Sequence, residues 1–83
     1  MTLEQAWNLL ESLNDSANQQ ASELWLANNV AEAISYQSAC FRKKCLELDA
    51  TQQQLVQHWI SNDDEFQDYF KCLSGVNNVV DAI

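Results

Sequence analysis

Proline is absent from this chain of 83 residues, and Gly75 is its single glycine. The tight turns that close β-hairpins, sandwiches and barrels depend on those residues, so such folds have almost nothing to build on here, and a glycine-rich phosphate loop is excluded. Basic residues are scarce as well: four Lys and Arg stand against twelve Asp and Glu, a net charge of −8. Displacing counterions from phosphates requires Lys and Arg, so direct nucleic-acid binding is not expected, and an anionic membrane surface would repel the chain. There is no run of 18 apolar residues, and the opening Met-Thr-Leu-Glu-Gln carries neither the basic nor the apolar region of a signal peptide. The expected location is cytoplasmic, with no membrane contact.

The inventory for catalysis is equally thin. His58 is the only histidine, and a lone histidine on an amphipathic helix is ordinarily a surface or packing residue. Cys40, Cys45 and Cys72 are odd in number and lack the dense framework of a secreted disulfide scaffold, which points to reduced thiols. Cys40 and Cys45 sit about 140° apart around a helix, too far round to bridge each other. Neither the close C-x₂₋₄-C ligand spacing of a zinc site nor a D-x-D-x-D-G calcium loop occurs. No enzymatic activity, cofactor or metal is therefore expected.

What the chain does have is apolar surface. Hydrophobic residues make up 47% of it, with three Trp, three Phe and two Tyr, which is enough to fold one domain over residues 1–83. Between Leu24 and Leu48, apolar and small residues recur at spacings of three and four in two rows. These are Leu24, Ala31, Ser38, Cys45 and Ala27, Ile34, Phe41, Leu48. Only a helix gathers these onto one stripe, so the expected fold is all-α: a small bundle of four or five helices around a long central helix over about residues 16–48. A second row, Leu26, Val30, Ala33 and Cys40, predicts that the first half of this helix is covered on two sides. The second half, interrupted by Arg42, Lys43 and Lys44, should be more exposed.

Capping signals divide the rest. Thr2 with Gln5 opens a first helix that should end near Asn14 and Asp15, and Ser16 with Gln19 should open the long one. Thr51 with Gln54 and Asn62 with Glu65 mark two more starts, and Ser74-Gly75 supplies a stop. Val76, Val79, Val80 and Ile83 then form a short apolar row, helical only if it docks. A straight helix of 33 residues would be about 50 Å long, whereas a domain of this size has a radius of gyration of about 12 Å. Either the helix breaks at Asn28 and Asn29, where Asn29 with Glu32 offers a cap, or it projects and pairs with a second copy. The heptad passes this point without a shift, which favours continuity.

The function expected from these features is a non-enzymatic, acidic, protein-binding module that acts through a helical surface: an adaptor, a chaperone subunit, or a phage or mobile-element inhibitor. Its partner would be a basic protein. Asp63, Asp64, Glu65 and Asp68 form the candidate acidic binding patch, although acids at a helix start also serve the helix dipole. A homodimer through the seam at Ile34, Phe41, Cys45 and Leu48 is a further expectation. The alternative is a DNA-mimic inhibitor occupying the basic cleft of a nucleic-acid-binding protein. Trp25 lies outside the heptad rows, so it is either wrapped by the first helix or part of a recognition surface.

Overall fold

The computed structural model describes residues 2–79, which form five helices: α1 (Leu3–Gln20), α2 (Ser22–Leu26), α3 (Val30–Leu46), α4 (Ala50–Asn62) and α5 (Asp64–Ser74). The all-α bundle is as expected. No strand occurs among the described residues.

The first helix starts where its capping box predicts. Gln5 N–H donates to Thr2 Oγ1 at 3.1 Å, and Thr2 N–H donates to Gln5 Oε1 at 3.0 Å. It does not stop near Asp15. The buried row Ala6, Leu10, Leu13, Ala17 continues at spacings of three and four, so carrying the helix on to Gln20 keeps Ala17 in the core, and Ser16 caps nothing.

The long helix over residues 16–48 is not formed, and this expectation is corrected. Its residues are shared among the end of α1, the short α2, and α3. The decisive break is at Asn28, whose φ is +59°, a left-handed conformation that Asn tolerates better than most residues. Asn28 N–H donates to the Trp25 carbonyl at 3.1 Å and Asn29 N–H to the Leu24 carbonyl at 3.0 Å. This pair of backbone bonds around a left-handed residue is a Schellman stop, which satisfies the last carbonyls of α2 and turns the chain. Asn29 then begins α3 without a side-chain cap, so the proposed Asn29–Glu32 pair is not used.

The remaining starts lie close to the expected places but use aspartates. Asp49 and Gln52 make a reciprocal capping box for α4, with Gln52 N–H to Asp49 Oδ1 at 2.8 Å. Asp63 accepts from Phe66 N–H at 2.9 Å to open α5. Gly75, at φ +75°, ends α5 with its N–H donating to the Lys71 carbonyl at 2.8 Å.

α1 packs against all four of the other helices. Its row Ala6, Leu10, Leu13 and Ala17 meets Cys40, Phe41 and Cys45 of α3, Leu55, Val56 and Ile60 of α4, and Phe66 and Phe70 of α5 in one core. Phe41 meets Phe70 edge-on with centroids 5.9 Å apart, and Trp7 meets Phe66 edge-on at 5.2 Å. Arg42 is half-buried rather than free, and its Nη1 donates to the Ser74 carbonyl at 2.7 Å, covering the end of α5. Val79 is buried in the same core, and its N–H donates to Gln57 Oε1 at 3.1 Å. Val80 and Ile83, the rest of the expected apolar row, lie outside the described residues.

Because the chain turns at Asn28, the burial differs from that expected: of the row Leu26, Val30, Ala33 and Cys40 only Ala33 and Cys40 are covered, and the second half of the segment is the more buried. Cys40, Phe41 and Cys45, in its second half, are buried, while Leu26, Val30 and Ile34, in its first half, are exposed. The radius of gyration, 12.6 Å, is what folding the segment back on α1 gives.

Candidate protein-binding surface

The four acids singled out from sequence lie along the first half of α5. Asp63 is half-buried and committed as the helix cap, whereas Asp64, Glu65 and Asp68 are exposed. Their position at a helix start, where the dipole and free N–H groups favour negative charge, accounts for them without a ligand. Among the described residues, no three His, Cys, Asp or Glu side chains converge as a metal site. His58 is exposed, its ring meeting Trp59 edge-on at 4.9 Å.

The self-association seam is not brought together on the surface. Phe41 and Cys45 are fully buried inside this chain and Leu48 is partly buried against the same core, so of the four residues only Ile34, 54% exposed, presents its side chain outward. That part of the expectation is corrected, because the surfaces of Phe41 and Cys45 are already covered by the chain's own α1 and α5. Burial also pushes the Cys45 thiol pKa up to about 11.

A different surface is left uncovered. Leu26 is 87% exposed, and Val30 and Ile34 follow it at spacings of four on the other side of the Asn28 turn. Burying an aliphatic side chain of this size fully is worth roughly 1.5–3 kcal/mol, so a nearly bare Leu26 and a half-exposed Val30 and Ile34 leave apolar area in water that a domain with a modest core would gain by covering. Val30 and Ile34 lie one turn apart on α3, and Trp25, 38% exposed, lines one cleft with Ile34, so these three, with Leu26 next to Trp25 in the chain, make up an exposed apolar ridge. Its indole Nε1–H donates to Gln37 Oε1 at 2.8 Å, and Gln37 Nε2–H donates to Asn14 Oδ1 at 3.0 Å. The relay ties α2 to α3 and α3 to α1. It therefore holds an exposed tryptophan in one orientation, the arrangement between the two alternatives expected of Trp25.

Beside the relay lies a cleft of about 250 Å³. Trp25, Ile34 and Leu73 give it apolar walls, Asn14 and Gln37 a polar floor, and Ser38 and Cys72 line it from α3 and α5. Cys72 is the exposed thiol of the three; Cys40 and Cys45 are buried. The charged groups nearby are mainly acidic. On α1, Glu11 lies one turn before Asn14 and Asp15 next to it; desolvation first, and then Glu11, Asp15 and Cys72, raise the pKa of Tyr69 on α5. Asp68 lies one turn before Cys72 on α5. Lys71 is the one cation on that helix, and Arg42, one turn beyond Ser38, is held by the Ser74 carbonyl.

Sequence reasoning had the members of this ridge, reading Leu26 and Val30 as one apolar row, but assigned that row to the interior. The signal that would have placed it outside is the Asn28-Asn29 pair, since two residues tolerant of left-handed backbone are what a Schellman stop needs. Among the described residues, no helix is long and apolar enough to cross a membrane. No protein-family model, curated protein or solved structure matches this chain.

Proposed function

We propose that this chain is a non-enzymatic protein-binding module whose recognition surface is the ridge Trp25, Leu26, Val30, Ile34, and that its partner is a basic, amphipathic segment of another protein. The observation that carries this reading is Leu26, 87% exposed, together with Val30 and Ile34, which the described residues leave 46% and 54% exposed. Charge supplies the second half of the argument. Residues 1–41 contain five acids and neither Lys nor Arg, so the ridge and α1 beside it carry charge of one sign, which attracts a basic surface and repels a second copy of the same face. An apolar line flanked by acids is the complement of a helix with an apolar stripe and basic flanks.

Leu26→Glu combined with Val30→Glu tests it, because both positions are exposed and lie outside the core cluster. Affinity capture from the source cell, with a pure wild-type chain and the double variant side by side, should yield a partner that the variant loses, and the interaction should weaken as salt rises. A partner held equally by both chains, or self-association above 9.5 kDa that the variant abolishes, overturns the proposal.

A further inference from the structure

We infer that the cleft beside Trp25 is an anchor pocket that takes one large apolar side chain of a partner's basic amphipathic helix. The inference rests on the protein-binding reading above and names the part of the surface that gives it specificity. The ridge runs into the cleft, since Trp25 and Ile34 belong to both. A partner helix lying along Val30 and Ile34 presents side chains one turn apart, and the one at the Ile34 end falls at the opening, because Ile34 lines it.

Size and lining agree with such an occupant. An apolar cavity of about 150 Å³ accommodates a benzene ring, so a cleft of about 250 Å³ has room for a leucyl or phenyl side chain. Four polar atoms beside it are already engaged with one another, because Trp25 Nε1–H donates to Gln37 Oε1 and Gln37 Nε2–H to Asn14 Oδ1. An apolar group entering there leaves no donor or acceptor of the relay newly unpaired. The relay also fixes the indole that forms one wall, so the pocket is shaped before the partner arrives. Glu11 and Asp15 flank the lining residue Asn14 on α1 and Asp68 lies one turn before Cys72 on α5, so acids on two walls favour Lys and Arg on either side of the anchor, while Arg42 is committed to the Ser74 carbonyl.

The test uses the full chain and two synthetic lysine-alanine helices of about five turns, identical in composition. One carries leucines at i, i+4 and i+7, and the other has them scrambled around the axis. Cys72 is exposed while Cys40 and Cys45 are buried, so benzyl methanethiosulfonate marks Cys72 selectively. The Cys72 thiolate attacks the benzyl sulfur, a mixed disulfide forms and methanesulfinate leaves, which sets a ring at the mouth of the cleft. The striped peptide should bind about tenfold more tightly than its scramble and should shift the indole N–H resonance of Trp25. The ring on Cys72 should remove that margin and dithiothreitol should restore it. The same label on Lys71→Cys in a Cys72→Ser background, off the cleft, should leave the margin in place. A margin that survives the ring on Cys72 overturns the anchor pocket and leaves the ridge standing. Equal binding of the two peptides overturns the ridge itself, since attraction between unlike charges would then be the whole interaction.

Discussion

Replacing Gln37 with methionine keeps the length of the side chain and deletes both hydrogen bonds of the relay that holds Trp25. The bond from Trp25 is exposed and the bond to Asn14 is half-buried, so each contributes toward the lower part of the range of about 0.5–1.5 kcal/mol, or about 1–2 kcal/mol together. Where the loss falls is decided by α2. That helix spans five residues, has no buried side chain and lacks a side-chain cap, so it is the part of the bundle with the least to hold it once the indole is released. The expected result is local. Amide exchange at Trp25, Ala27 and Asn29, whose N–H groups are bonded within this turn, should accelerate about fivefold for each 1 kcal/mol lost. The melting temperature should move by less than the 4–8 °C, roughly, that 1 kcal/mol of global destabilisation would cause in a domain of this size. Hydrogen exchange read by NMR together with urea unfolding separates the two. Unchanged exchange in α2 with a lowered urea midpoint would show that the relay serves the core instead, and no change in either would mean that the two bonds contribute nothing.

Three further outcomes follow from the packing. Phe41→Glu places an uncompensated carboxylate against Phe70 in the core, on top of the ~3–5 kcal/mol that losing the ring costs, and the chain should not fold; a helical circular dichroism spectrum would contradict the burial of Phe41. Gly75→Ala forces a Cβ into a left-handed position at φ +75° and should cost about 1 kcal/mol in urea unfolding. The nearest atom, Arg42 Nη1, stands 3.7 Å from the added carbon, so a much larger loss would mean a clash that the structure does not contain. Cys45 titrates near 11 when folded and near 9 in the ordinary thiol. Below pH 9 the thiol is neutral in both states and its contribution is fully present. As pH rises through 9 to 11 the unfolded chain releases its proton first, and stability on the order of 2 kcal/mol should be lost. Cys45→Ala should show a shallower alkaline decline than wild type, and identical curves would refute the assignment.

The helices were legible in the sequence for reasons that are local. Thr2 and Gln5 lie at the spacing a capping box requires, the absence of proline leaves nothing to interrupt a helix, and Gly75 stands where a left-handed stop is needed. The errors arose where two local signals competed. Ser16 with Gln19 reads as a helix start, but the buried row through Leu13 and Ala17 continues α1 past it, because core packing outweighs a cap worth about 1 kcal/mol. Thr51 and Asn62 read as caps, whereas Asp49 and Asp63, nearby in sequence, form the caps in the fold. For α4 and α5 the element was right and its first residue was not, since several side chains near a helix start can each accept the same free N–H groups.

The site was harder to read, because periodicity reports which residues share a face and says nothing about whether that face is covered. Leu24 to Leu48 keeps its heptad across the break at Asn28, and a pattern carried by side chains cannot register a turn made by backbone angles alone. Once Asn28 adopts φ +59°, α3 lies back along α1 with Cys40, Phe41 and Cys45 inward, and Leu26 and Val30, on either side of the turn, are left exposed. Leu26 and Val30 are therefore exposed as a consequence of the same turn that buries Phe41. Charge gave a comparable half-answer. The densest acids, Asp63 to Asp68, sit at a helix start where the dipole accounts for them, while the sparser Glu11 and Asp15 lie on α1 within a turn of Asn14, which lines the cleft. Density of charge marked the helix start, and the neighbourhood of charge to uncovered apolar surface is what distinguishes a binding face from a solvated one.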